Sequence, residues 1–161
     1  MRGERSVQFV DASERCDRLM RLSDYGIDVE DAQRKGDLEV AIWEEVYLRG
    51  AKFDATSMLV FLQECLNTGV QRGFPRTRLW ANMEWALSDF PGVEDLATYE
   101  SRLNYFLPLS GDAVVCAYDI TRFSAGMLDK VLTAHPHAFL DGYGGANPTY
   151  EPPDQLLPKL N

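Results

Sequence analysis

The sequence predicts an α/β domain: three layers around a central, mainly parallel sheet of about five or six strands. Two patterns carry this reading. Short strand-like runs alternate along the chain with amphipathic helical segments, which is the signature of βαβ units. Ala113-Val114-Val115-Cys116-Ala117-Tyr118 is also a near-continuous apolar run, as expected of a strand buried on both faces.

The elements follow in order. Ser6 to Val10 alternates as a short strand. Asp11-Ala12-Ser13-Glu14 has the form of a capping box and opens a helix to about Ser23, ended by Tyr25-Gly26. Asp28 to Lys35 is a short second helix closed by Gly36, and Leu38 to Trp43 a second strand. Glu44 to Phe53 has no clear period and is expected to be an irregular excursion. Asp54 caps a long helix whose stripe is Met58, Leu62, Cys65, Leu66 and Gly69, stopped by Gly73 and Pro75. Thr77 to Met83 is the third strand. After Phe90-Pro91-Gly92, a helix carries Leu96, Tyr99, Leu103, Phe106 and Leu107 on one face. The apolar strand comes next, then a helix capped by Ser124 with Met127, Leu128, Val131 and Leu132 inward. His137 to Asp141 reads as a fifth strand and Gly142 to Ala146 as a glycine-rich loop. Asn147 to Glu151 reads as an edge strand, and Pro152-Pro153 begins a short terminal helix. No internal repeat or linker composition divides the chain, so residues 1–161 are read as a single domain.

Composition narrows the function. A chain of 161 residues, 45% hydrophobic and 25% charged, is long enough for a real core. A net charge of −9 with scattered Lys and Arg argues against direct nucleic-acid binding, because phosphate contacts need clustered cations. No apolar run is long enough to cross a membrane, and Met1 to Ser6 lacks a signal-peptide core. Cys16, Cys65 and Cys116 are odd in number and widely spaced, which fits a reducing cytoplasm rather than a disulfide framework. There is no phosphate-loop motif, so a nucleotide hydrolase is not expected. The Gly142-Tyr143-Gly144-Gly145 segment reads as a turn rather than a phosphate cradle. No nucleophile elbow or Ser-His-Asp pattern is visible, so no catalytic residue is expected. His135 and His137 with a carboxylate lack a metal-ligand spacing, so neither a metal site nor a cofactor is expected.

Several motifs then occur in one order: Gly3-Glu4-Arg5, Gly26-Ile27-Asp28-Val29, Glu45-x-Tyr47-Leu48, Met83-Glu84-Trp85-Ala86-Leu87, Tyr99-Glu100-x-x-x-Asn104, Cys116-x-Tyr118-Asp119, His135-Pro136 and Asn147-Pro148-x-Tyr150-x-Pro152-Pro153. In this order they resemble the MEDS family, the methanogen/methylotroph sensory domain, along nearly the whole chain. The resemblance implies an incomplete relative of the RecA/KaiC-like fold, without a working nucleotide site. It further implies a sensor of small hydrocarbon-derived ligands, set beside histidine-kinase, anti-sigma or DNA-binding modules. The family usually places one more strand and helix ahead of the Gly-Glu-Arg segment. Their lack here is expected to open a sheet edge for another subunit.

The candidate ligand-binding residues are Glu84, Trp85, Tyr118 and His135. In open α/β sheets ligands sit beyond the carboxyl ends of strands. Glu84, at the end of the third strand, is either a recognition group in that crevice or a buried carboxylate satisfied by Tyr99, Asn104 or a helix-start amide. Strand alternation puts it on the face of Trp80, which is read as core, whereas Trp85 lies past the strand end and is more open. Tyr118 and Asp119 exit the apolar strand beside it. His135 is read first as held by the end of its helix, and alternatively as a ligand or pH-sensitive contact. Cys116 is read as a buried, inert small hydrophobe.

These observations point to a cytoplasmic, non-enzymatic sensory or ligand-binding domain. It would couple a small molecule to a signalling or transcriptional partner on another chain: a histidine kinase, an anti-sigma factor or a DNA-binding module. A homo-oligomer is expected. The alternative is an interaction protein whose crevice is filled by side chains and whose open edge binds a copy of itself or a kinase or anti-sigma factor.

Overall fold

The structure, a computed structural model, describes residues 3–48 and 52–160. Four parallel strands, β1 (Arg5–Val10), β2 (Leu38–Ile42), β3 (Thr77–Asn82) and β4 (Ala113–Ala117), form one sheet in the order β2-β1-β3-β4. The register runs Gln8↔Val40, Gln8↔Trp80 and Trp80↔Val115, so these residues share a face. Val7, Phe9, Leu79 and Ala81 line the other face and are almost fully buried.

That buried face packs on α4 (Ala55–Gln71), α5 (Leu96–Leu103) and α7 (Ala125–Ala134), through Met58, Leu62, Leu66, Leu96, Tyr99, Leu103 and Val131. The opposite face is covered only over β1 and β2. There α1 (Arg15–Asp24) and α2 (Val29–Lys35) set Leu19, Leu22, Val29 and Ala32 on Val10, Leu38 and Val40. The fold is therefore the expected α/β class with helices on both faces. Among the described residues no helix is long and apolar enough to cross a membrane.

The capping signals act as read. Asp28, Asp54 and Ser124 accept from the backbone N–H groups of Asp31, Ser57 and Met127, and Gly36 closes α2 at φ 75°. Asp11 instead accepts from Ser13, and α1 begins at Arg15 without a side-chain cap. The segment after β2 is more regular than expected. A short helix, α3 (Trp43–Tyr47), buries Trp43, Val46 and Tyr47, and Arg49–Ala51 lie outside the described residues. The α5 helix stops at Leu103, and Leu107 opens a separate turn, α6 (Leu107–Ser110).

The sheet is smaller than expected. β5 (His137–Leu140) and β6 (Tyr143–Ala146) pair only with each other, as an antiparallel hairpin. Asp141 at φ 50° and Gly142 at φ 81° make the two-residue turn that right-twisted hairpins favour. The glycine-rich stretch is thus a strand. Asn147, expected to open an edge strand, instead accepts from Thr149 in a tight turn, and α8 (Pro153–Leu160) follows. β4 is therefore the sheet's edge. Its outer face is bare: Val115 is 42% exposed, and beside it Trp80 is 39% exposed, with its indole N–H on Asn82. The two-sided burial expected for β4 and the core position expected for Trp80 both fail for this reason.

Beyond β3 the strand ends at Asn82, and Glu84–Leu87 winds into a 3-10 turn. The strand alternation therefore never reaches Glu84. The turn swings Trp85 inward, where it is fully buried, stacked on Tyr47 at 4.7 Å and tilted against Phe53 at 4.9 Å. Phe53 is held over it by a backbone clasp: its N–H donates to the Pro91 carbonyl, and Gly92, at φ 91°, would place a Cβ 2.1 Å from the Phe53 oxygen. Gly73, at φ 81°, meets open space. Gly73→Ala should cost about 1 kcal/mol, the left-handed penalty alone. Gly92→Ala should cost about 2–4 kcal/mol, because the clasp must also open. Urea denaturation of the two variants checks this, and equal costs would mean that the clasp carries no strain.

Candidate functional site

Three elements converge where β4 leaves the sheet. The α5 helix repeats apolar residues at Leu96, Tyr99 and Leu103, and Glu100 falls on the same stripe, one turn after Leu96. Glu100 is therefore carried into the core, where it is 2% exposed. β4 brings Cys116 and, at its exit, Tyr118. Cys116 as a residue is only half-buried because its strand is the edge, yet its thiol points into the packed layer and contacts the Glu100 carboxyl. The C-terminus of α7 brings His135.

The geometry is specific. The Tyr118 hydroxyl donates to Glu100 Oε1 at 2.5 Å. Glu100 Oε2 is buried with no hydrogen-bond partner among the described residues. His135 Nδ1 lies 2.6 Å from the Val131 carbonyl oxygen, so this nitrogen carries the proton and donates. Nε2 is thereby turned toward Glu100, 3.9 Å from Oε1. The helix end is fixed in turn by Asn104 Nδ2, which donates to Ala134 O at 2.8 Å, and by Asn147 Nδ2, which donates to the Leu132 and His135 carbonyls at 2.8 Å. His135 thus does sit on its own helix end, as expected, and also faces a buried carboxyl.

Burial dominates the electrostatics. It pushes the Glu100 carboxyl above the usual range, against smaller opposing effects of His135, Tyr118 and Cys116. The Cys116 thiol and the Tyr118, Tyr99 and Tyr47 phenols are driven well up, again by burial first. Tyr47 and Tyr99 pair through their side chains and feel Cys116 and Glu100, so the aromatic wall is continuous with the polar cluster. A cleft of about 310 Å³, lined by Val46, Tyr47, Lys52, Asp54, Ser57, Met58 and Phe61, reaches the outer side of Tyr47.

Of the residues singled out in the sequence, Tyr118 and His135 meet around Glu100. Trp85 is part of the aromatic wall rather than the open end of a strand. Glu84 is half-buried at the start of the 3-10 turn and makes no side-chain hydrogen bond with the cluster. Asp119 caps its own turn by accepting from Thr121. Sequence reasoning missed Glu100 and gave Cys116 no chemistry. The signal for Glu100 was present: a carboxylate at an inward helical position between Leu96 and Leu103 has to be buried.

Because its folded-state pKa is raised, Glu100 favours the fold fully below the unfolded glutamate pKa, and this contribution is lost as pH rises through the folded value. Glu100→Gln keeps an acceptor for Tyr118 and removes the ionisation. Its stability relative to the parent protein should therefore rise with pH from the ordinary glutamate range upward. Urea denaturation of both proteins across that range checks the sign, and a pH-independent difference would place the carboxyl in contact with water.

Residues 1–136 match the profile of the family described as MEDS, MEthanogen/methylotroph, DcmR Sensory domain. No curated protein matches the chain. Glu100, Cys116, Tyr118 and His135 all lie within the matched stretch, which ends at Pro136. With most of its length covered, the chain belongs to the MEDS family of sensory domains.

Proposed function

We propose that the protein is a non-enzymatic sensor whose ligand is recognised at the Glu100–Cys116–Tyr118–His135 cluster. One observation carries this reading: a fully buried carboxyl with one oxygen bound to Tyr118 and the other without a partner. An unmade hydrogen bond in a buried site costs about 1–3 kcal/mol. A recognition site can use such an atom to bind its ligand. The half-buried His135 and Tyr118 give access from outside. The chemistry suits a small molecule with one polar, hydrogen-donating end on a mostly apolar frame, since the rest of the lining is aromatic and aliphatic. In this reading Glu100 takes the role that the sequence gave to Glu84. The sensory role of the family supports it. The output passes to a signalling or transcriptional partner on another chain, in the cytoplasm.

Native mass spectrometry of protein from its own host, followed by thermal-shift measurements with a panel of small hydrocarbon-derived metabolites, tests this. A bound molecule or a stabilising metabolite is expected. Glu100→Gln should weaken binding by about 1–3 kcal/mol, because the amide can turn a donor toward the ligand where the carboxyl offered an acceptor. Glu84→Gln should leave binding unchanged. The reverse result would return the site to the end of β3.

A second reading is favoured by a separate observation. The bare half-sheet with Trp80 and Val115 and the hairpin with Phe139, Leu140 and Tyr143 all expose large apolar side chains. Scattered apolar residues are ordinary, but adjacent ones mark contact surfaces. A homo-oligomer that covers the bare half-sheet would bury more than about 1,000 Å². Light scattering after size exclusion should show the oligomer, and Trp80→Ser should dissociate it without unfolding. A protein that stays monomeric at high micromolar concentration would end this reading.

A further inference from the structure

We infer that Glu100, Cys116 and His135 form a binding site for a divalent d-block cation of the zinc type, with the fourth position open to the sensed molecule. The inference deepens the sensory reading of this cluster and rests on it for the role of that open position. The three donor atoms, a carboxylate oxygen, a thiol sulfur and an imidazole nitrogen, all lie within 4.8 Å of one another. Tetrahedral bonds of about 2.0–2.3 Å place ligand atoms roughly 3.3–3.8 Å apart. The trio therefore needs to contract by at most about 1–1.5 Å.

The surroundings are those of a ligand set. His135 is locked by its Nδ1–H on the Val131 carbonyl, which leaves the Nε2 lone pair facing the other two donors. Metal-binding histidines are oriented in this way, by a backbone carbonyl on the far nitrogen. Tyr118 anchors Glu100 Oε1, the oxygen facing His135 Nε2, and Oε2 has no partner among the described residues. A cation with a charge of +2, bound by one thiolate, one carboxylate and one neutral imidazole, leaves no net charge in a buried place, which is the condition for tolerating it there. Sulfur and nitrogen together exclude magnesium and calcium, which require oxygen ligands, and favour zinc or a neighbouring metal. Binding displaces the thiol proton to solvent, while the imidazole keeps its Nδ1 proton. Affinity therefore increases steeply with pH. The ligands stand at positions 100, 116 and 135, in a helix, in a strand and just past the end of a second helix, so no local spacing announces them.

The experiment uses the full chain, freed of metal by a chelator and titrated with cobalt(II) and then zinc(II) as probes. One equivalent of cobalt should bind with a sulfur-to-metal charge-transfer band and tetrahedral visible bands, both erased by zinc. Cys116→Ser should abolish the charge-transfer band. Glu100→Gln and His135→Gln should each weaken binding by about a hundredfold or more, since even an outer-shell partner is worth about ten- to a hundredfold. Cys16→Ser, which alters an exposed thiol, should change nothing. If Cys116→Ser fails to fold, the other thiols decide: the charge-transfer band should survive in Cys16→Ser and in Cys65→Ser, which leaves Cys116 as its source. Absence of saturable binding, a band that survives Cys116→Ser, or a band lost with Cys16→Ser would overturn the site. The two readings fail separately. Metabolite binding that persists in chelator with no saturable metal binding ends the metal site alone, and saturable metal binding without a responding metabolite ends the sensory role alone.

Discussion

A single carboxyl group sets the terms for the site end of this molecule. Glu100 is carried into the core by the helical period that buries Leu96, Tyr99 and Leu103, so it cannot escape to water without lifting α5 from the sheet. Everything close to it answers that fact. Tyr118 supplies a hydroxyl, Cys116 a thiol, and His135 a nitrogen whose direction is fixed by the carbonyl behind it. Tyr118 and Cys116 come from β4 and its exit, and His135 from the end of α7. The aromatic wall of Tyr47, Phe53, Trp85 and Tyr99 then keeps water out, which strengthens every electrostatic interaction inside.

Much of the fold was legible in the sequence because its signals are local. Asp28, Gly36, Asp54 and Ser124 mark helix ends through single hydrogen bonds or a single backbone angle, and all four act as their types require. The stripe of α4 is equally local. What could not be read is non-local. Periodicity shows that β3 and β4 each have an apolar side, but not that α1 and α2 stop short of covering them. Trp80 and Val115 are therefore exposed, although their sequence context is that of core strands. Likewise, nothing in the run from His137 to Leu140 says that it leaves the sheet. The site divides along the same line. Tyr118 and His135 stand at element ends, where position alone is informative. Glu100 lies inside a helix, Cys116 inside a strand, and only the packing of α5 against β4 and α7 shows that they meet.

The two tryptophans at the end of β3 illustrate how little separates a wall from a surface. Trp80 belongs to the strand, and its direction follows the pleat onto the uncovered face. Trp85 is only five positions further on, but the 3-10 turn after Asn82 resets its direction and sends it under Phe53. The carbonyl of Pro91 and the left-handed Gly92 hold Phe53 in place from the other side, so a loop far along the chain decides what covers the strand ends.

Asn147 has a mechanical consequence. Its side chain grips the carbonyls of Leu132 and His135, and its backbone N–H donates to the carbonyl of Pro136. Both strands of the hairpin therefore spring from one knot, which includes the backbone carbonyl of His135, the residue whose ring faces Glu100. Between the knot and the Asp141–Gly142 tip the hairpin pairs with nothing else in the sheet, and it carries the exposed rings of Phe139 and Tyr143. The exposed apolar rings thus stand on an arm whose base is tied to the helix end that carries His135.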